Sequence, residues 1–596
     1  MEIYPEEYTR GFAGTTNMTE STRVCSFGCR GGSVMVVQTT EEPVNATVKR
    51  TGTVQGTVAD VIVAQLGAWG IKTLYGVCGD AIFELLNAIA GQDAIEFFPT
   101  VHEFSAACMA ATEARLTGRP AVCTATSGPG VVNLLNGLAE AYRDRVPLLA
   151  ITGDVQSQTL GLNVKQGINQ QLLMAAVTGY SAMIREPSET LPILQEAARV
   201  AVEMQTVAHI SVPEDIFKKP AAGAQLLPLP TAAKPAAPTE QAIQPVITML
   251  TSFTRPLILA GRETREVAGE TAKLAEALVA GIILAQGAKG IIPGVHPQVV
   301  GGLGEAFIPA PLSLADGLLI IGTAPYEMKF LPANLPVIQI TARPEYLIDA
   351  PKPPTAGLAG DVRSILQELT GSLTGYRPAT EWRSKLATAH HEWLRQVEDD
   401  GRERSIPLSP RRVMAELNRA IAPDAVVALD TGEFMHWFDR SFTGHRQYLI
   451  LSDYWRCMGS ALPAAIAAKR LYPGKQSVVL AGDGSFVMSM YELVTAVKHN
   501  LPVKIILFNN GLYALEKHKM TAEGLQPVGV ELNNPDFVSF AQSCGAAGYR
   551  IEEPAQLARL LPEALVSDQP ALIEVKVSAP EPPFIQAGGR KLALGS

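Results

Sequence analysis

From about residue 55 onward, short apolar runs alternate with stretches in which apolar positions recur every three to four residues. The first pattern is that of a buried strand and the second that of an amphipathic helix. Residues 58–69 read as a helix and lead to TLYGVCGD, then a helix, a short strand in AIEFFPTVHE and a helix over 104–116. AVCTATSGPG reads as a buried strand that runs into a Gly/Pro turn before another helix, and the unit closes near VAHISVPED at 207–215. Strands alternating with helices imply a parallel sheet covered on both faces.

The same pattern returns twice. Residues 220–240 carry five prolines and read as a linker. A second unit follows with strands at PLILAG, GIILAQ, GLLIIGT and VIQITA, and 374–406 is charged and helical in pattern. A third unit has strands at AVVALD, YLILSD, SVVLAGDG, VKIILFNN and ALIEVKV. The expected fold is therefore α/β, with three consecutive doubly wound parallel-sheet domains. The divisions are an N-terminal extension at 1–52, domains at 53–220, 241–375 and 407–580, a linker at 221–240, a helical connector at 376–406 and a tail at 581–596. Such a fold says nothing by itself about chemistry.

Composition narrows the field. The chain has 596 residues, 47% hydrophobic and 18% charged, as in packed globular proteins. A net charge of −9, with no long basic run, argues against a nucleic-acid partner. The seven cysteines (25, 29, 78, 108, 123, 457, 544) are odd in number and scattered, which fits reduced thiols in the cytoplasm better than a disulfide framework. No uncharged apolar stretch is long enough to span a membrane. Glu2, Glu6 and Glu7 stand where a secretory signal needs basic and apolar residues, leaving an organelle address as the alternative for the extension.

The chemistry concentrates in QSVVLAGDGSFVMSMYELVTAVKHNLPVKIILFNNGLYALEK. One apolar strand ends at Gly482-Asp483-Gly484, a helix follows over about 488–499, and a second strand ends at Asn509-Asn510. A strand–helix–strand crossover is right-handed, so both strand ends open on one carboxyl edge, where α/β proteins bind ligands. Asp483 and Asn510 can then share one hard cation such as Mg²⁺, which takes oxygen ligands and keeps places for phosphate oxygens. Gly482 and Gly484 let the backbone approach a phosphate, and N–H groups near Ser485 can donate to it. Two tight turns without a ligand are the alternative; GDG and NN 24 residues apart on two strand ends speak against it.

This GDG-x24-NN stretch, with the three-unit order over 55–580, resembles the thiamine diphosphate enzymes of the 2-oxo acid decarboxylase, pyruvate oxidase and acetolactate synthase group. The resemblance implies that the first domain binds the aminopyrimidine and the third the diphosphate, with the middle one structural or flavin-binding. It implies Asp483, Asn510 and the carbonyl of Leu512 as ligands of Mg²⁺. Gly79, Thr431, Gly432, Glu433, Arg456, Met458 and Tyr513 join Gly482, Gly484 and Ser485 as cofactor-binding positions, Met458 being the bulky residue beneath the cofactor. Arg456 departs from the group, which has a small residue there. Glu103 in PTVHEFSAACMAA matches the glutamate that exchanges a proton with N1′ of the pyrimidine, a role favoured by burial among apolar neighbours. Its local alternative is a helix-start glutamate favoured by the dipole. Glu103 and Asp483 lie on different domains, and in the group the site is completed across a subunit interface. The implied assembly is a homodimer at least, with a tetramer common.

Three features bear on the reaction. In LNVKQGINQQ, Gln166 matches the group, while Lys165 stands where oxidases and anabolic synthases have Phe. That resembles the flavin-free catabolic acetolactate synthases and makes Lys165 and Gln166 substrate-pocket candidates; a solvated lysine is the alternative. IIGTAPYEM resembles their Pro-x-Glu segment (Pro325, Glu327), and Thr341 replaces the Asp of flavin binders, so FAD is possible but not favoured, although VVGGLGEAF could receive a dinucleotide. Glu516 falls where simple decarboxylases have a catalytic glutamate, but their His-His pair is missing from 127–171. Its alternative is a surface pair with Lys519 or His518. The expectation is a carboligase that decarboxylates a pyruvate-like 2-oxo acid and passes the enamine to an acceptor, as in acetolactate synthase. A flavin-dependent pyruvate oxidase, an aldehyde-releasing decarboxylase and an inactive regulatory relative are the alternatives.

Overall fold

The computed structural model describes residues 23–29, 32–38 and 51–586 apart from 222, 325–327 and 349–352. Three six-stranded sheets follow one another along the chain, every strand pair within them parallel. This is the expected class of three parallel-sheet α/β domains. The central strands, such as Leu148–Asp154, Gly317–Ile321 and Val503–Asn509, are buried along their whole length. A strand covered by helices on both faces must be apolar throughout, which is why these segments show continuous rather than alternating hydrophobicity.

In the first sheet the Thr73–Gly76 and Ala121–Ala125 strands pair side by side, and the Glu96–Pro99 strand lies at one edge. In the middle sheet the order places the Pro256–Ala260 strand between those of Gly281–Leu284 and Gly317–Ile321. The chain reverses its direction of travel across the sheet there, which makes the gap beyond these strand ends the crevice of that domain. In the third sheet the Ser477–Gly482 and Val503–Asn509 strands are neighbours in register from Ser477↔Val503 to Gly482↔Phe508.

The first and third domains share one apolar core, in which the helices Glu103–Thr117 and Ala461–Leu471 pack together. The middle domain has its own core, closed by Trp382 and Trp393 of the Trp382–Asp400 helix. Within the stretch read as an N-terminal extension, Arg23–Cys29 and Gly32–Gln38 pair as an antiparallel hairpin. Thr51–Val54 pairs with Ala224–Leu226, so a short strand stands in the segment read as a linker. The rest of 1–50 and the tail beyond 586 lie outside the described residues, as do Pro325 and Glu327. Among the described residues no helix is long and apolar enough to cross a membrane.

Candidate active site

The Ser477–Gly482 strand ends at Gly482, and Asp483 opens a short helix over Asp483–Phe486. The adjacent strand delivers Asn509 and Asn510 to the same edge. Asp483 is almost fully buried, and its Oδ2 accepts hydrogen bonds from Gly511 N (2.8 Å) and Asn534 Nδ2 (2.7 Å). Burial pushes its carboxyl above the usual value, and the Asn534 bond opposes that shift. Asn510 Oδ1 accepts from Leu512 N at 3.0 Å, while Asn509 turns inward and donates to Glu574 at 2.7 Å. The left-handed Gly511 (φ +71°) makes the turn between them possible. Gly484 is required for a different reason, since a Cβ there would lie 2.4 Å from the Tyr513 ring.

These residues wall one cavity. Asp483, Gly484, Ser485, Asn510, Leu512 and Tyr513 form one side with Gly482. Thr431, Gly432, Glu433, Met458 and Glu516 line the remainder. The Met458 loop is pinned from below by the buried Asp430, which accepts from Thr431 N (2.8 Å), Gly459 N (2.9 Å) and Ala461 N (3.4 Å). Burial lifts the Glu433 carboxyl to about 7, against the bond that Trp437 Nε1 donates to it at 2.6 Å. Arg456 does not line this cavity. It adopts a left-handed backbone (φ +59°) and sends its guanidinium to Gln286 Oε1 of the middle domain at 2.6 Å. Glu516 sits on an exposed helical face 3.4 Å from Lys519, the surface pairing weighed above.

Both Asp483 bonds fall on one oxygen, and a carboxylate has lone pairs on the other for a cation. Among the described residues no three His, Cys, Asp or Glu side chains converge on a common metal position. The side-chain donors here are instead one carboxylate and one amide, which suit a hard cation sharing its sphere with phosphate oxygens.

Glu103 is the first residue of the Glu103–Thr117 helix and is buried. Its Oε2 accepts from Asn133 Nδ2 at 2.9 Å, and a Cβ on Gly130 would lie 3.2 Å from its other oxygen. It is not among the residues lining the Asp483 cavity. Val101, two positions before it, and Val132, next to its partner Asn133, expose apolar side chains. Gly79 packs so tightly on Thr126 that a Cβ would come within 2.4 Å of it. Gln166 is left-handed (φ +61°) and accepts from Ser127 Oγ at 3.4 Å, and Lys165 beside it is exposed.

The middle domain's crevice opens into a cavity of about 850 Å³ between the three domains. On its wall Glu263 accepts from Thr323 N at 2.5 Å and Thr323 Oγ1 at 3.1 Å. A Cβ on Gly322 would lie 2.2 Å from Glu263 Oε2. The strand-end N–H of Thr323 is thus occupied by the chain's own carboxylate, on a wall that also carries Arg115, Arg143, Arg145 and Arg262. Thr341 is buried and donates to Arg343 O at 2.7 Å, with no carboxylate in its place to hold a ribose.

Sequence reading missed Asn534, Asn133, Asp430 and Glu263. Asn534 arrives because 529–534 runs alongside 511–513, with Tyr513 N donating to Val530 O and Leu532 N to Gly511 O. The LNNP turn was its one local signal.

Three family models match the chain in succession. Residues 56–174 match the thiamine pyrophosphate enzyme N-terminal TPP binding domain, 243–369 the central domain and 430–575 the C-terminal TPP binding domain. A putative thiamine pyrophosphate-containing protein, YdaP, of Bacillus subtilis is 34% identical over 539 residues, 89% of this chain and 92% of that protein. Pyruvate oxidase of Lactiplantibacillus plantarum is 29% identical over 87% of this chain and 88% of its own length. The acetolactate synthase large subunit IlvG of Mycobacterium tuberculosis is 30% identical over 86% and 94%. With all three domains matched in the order in which the three sheets occur, the chain belongs to the thiamine pyrophosphate-dependent enzyme superfamily.

Proposed function

We propose that the chain decarboxylates a pyruvate-like 2-oxo acid and transfers the remaining fragment to an acceptor, as an acetolactate synthase-like carboligase working with thiamine diphosphate and Mg²⁺. The observation that carries the cofactor part of this reading is the pair Asp483 and Asn510, set on adjacent parallel strand ends over one cavity. Asp483, the Asn510 amide oxygen and the Leu512 carbonyl would hold Mg²⁺, and the turn from Gly482 to Ser485 would receive the diphosphate through its N–H groups. Met458 and Tyr513 give the cavity apolar walls. Bound thiamine diphosphate supplies the acidic carbon that adds to the 2-oxo group.

Glu103 would hold and return the proton at N1′ of the pyrimidine. Its absence from the cavity wall and the exposed apolar Val101 and Val132 near it support a homodimer in which one chain supplies Glu103 and its partner Asp483. Apolar surface grouped around a polar centre is what an interface buries. Glu263 supports a flavin-free reaction over a pyruvate oxidase. Glu516 on the cavity wall favours a second reading, an aldehyde-releasing decarboxylase.

Purified protein incubated with pyruvate, thiamine diphosphate and Mg²⁺ decides among these. Acetolactate is expected; acetaldehyde would select the decarboxylase, acetate the oxidase, and no turnover of pyruvate another 2-oxo acid.

A further inference from the structure

We propose that Glu492, a third-domain residue, is a positioning residue for Glu103 of the same chain. This rests on the reading of Glu103 as the proton-exchanging group, and it adds a device that reading does not contain. Glu492 ends a 3-10 turn over Met490–Glu492, nine positions beyond Asp483, and is 0% exposed. Burying a carboxylate is costly unless hydrogen bonds replace its water. Here Oε1 accepts from Val101 N at 3.0 Å and His102 N at 3.2 Å, and Oε2 accepts from Thr495 Oγ1 at 2.7 Å.

The two backbone donors belong to the first domain, 390 and 391 residues away, and lie directly before Glu103. Several neighbouring polar groups bond within the first domain. His102 Nδ1 accepts from Phe104 N at 3.1 Å, Thr100 Oγ1 donates to His102 O at 3.0 Å, and Ser105 N donates to the same carbonyl at 3.0 Å. Val101 N–H and His102 N–H instead point to the other domain. These two bonds fix the backbone from which Glu103 projects. Asn133 fixes the tip of the same side chain from the opposite direction. A proton-transfer group misplaced by an ångström loses about a hundredfold in rate, and two independent tethers are what such precision needs. An amphipathic-helix reading of YELVTAVKH would leave Glu492 at a solvated helix start; its complete burial against the first domain is unexplained by that role.

The test uses the full-length protein with Glu492→Ala and Glu492→Gln. Amide hydrogen exchange over 100–105 is measured without cofactor, thiamine diphosphate affinity with Mg²⁺, and kcat and KM with pyruvate. Alanine should speed exchange at Val101 and His102 by about tenfold or more. It should leave cofactor affinity and KM within about threefold and lower kcat by about 10–100-fold. Glutamine keeps an acceptor at Oε1 and should restore exchange and kcat to within about threefold of wild type. Faster exchange with an unchanged kcat would overturn the positioning role, and a glutamine variant as defective as alanine would overturn the hydrogen-bond account. If alanine does not accumulate folded, Thr495→Val, which frees only Oε2, must move exchange and kcat in the same direction; no movement in either also overturns the proposal. Wild-type turnover by Glu103→Gln would instead remove the underlying reading while the exchange data stand, so the two failures are separable.

Discussion

Asn534 offers a sharp test of the candidate metal site, because it touches Asp483 without belonging to the expected ligand set. Its amide donates to Asp483 Oδ2 at 2.7 Å and, more weakly, to Asn509 Oδ1 at 3.3 Å. Truncation in Asn534→Ala leaves Asp483 with Gly511 N on that oxygen at 2.8 Å and frees the carboxylate to turn. A hydrogen bond to a charged group contributes about 1.5–3 kcal/mol. Loss of a partner that orients a metal ligand costs about 10–100-fold in metal affinity, which is about 1.4–2.8 kcal/mol. The two estimates agree, so the Mg²⁺ concentration that supports half-maximal thiamine diphosphate binding should rise about 10–100-fold. The loss should deepen at lower pH, since the Asn534 bond is the largest of the bonds that oppose the upward pull of burial on Asp483. Mg²⁺ titrations at fixed thiamine diphosphate, followed by tryptophan fluorescence or calorimetry, give the number. The exposed neighbour serves as control in Asn533→Ala. An unchanged Mg²⁺ dependence in Asn534→Ala would show that Asp483 does not bind the cation through this arrangement.

Other changes probe the remaining parts. Glu103→Gln should abolish turnover with cofactor binding largely intact, measured by steady-state kinetics beside a binding titration; wild-type kcat would remove Glu103 from proton exchange. Glu433 has its folded value raised from 4.5 to about 7. Its favourable contribution is therefore complete below pH 4.5 and lost as pH climbs through 7, by up to about 3 kcal/mol. The apo protein's melting temperature should fall between pH 5 and 8, and fall less in Glu433→Gln; parallel slopes would count against the assignment. Protein purified from cells should show no flavin band at ~450 nm after denaturation, because Glu263 holds Thr323 N, and a stoichiometric band would refute that account.

The parallel architecture was legible because strands buried on both faces need unbroken apolar runs, and VKIILFNN or GLLIIGT have no other explanation. Four of the strands missed lie at sheet edges, whereas Leu148–Asp154, inside the first sheet, was passed over despite its unbroken apolar run. Val299–Gly302, Ala356–Ala359, Tyr180–Met183 and Ala547–Ile551 each lie at the rim of a sheet. An edge strand is paired on one side only and tolerates Gly and Ala, so VVGG and AGLA carry little β signal. The candidate site divides in the same way. Asp483 and Asn510 were readable because one crossover sets their spacing. Asn534 and Glu492 were not, because their partners lie 51 and 390 residues away and no local period encodes such distances. Arg456 shows the intermediate case. Its departure from a small residue was visible, but only the fold shows that the left-handed backbone turns the guanidinium away from the cavity and onto Gln286. A large residue is tolerated beside the site because the middle domain takes up its side chain, so the pocket's shape depends on a domain that contributes nothing to its wall.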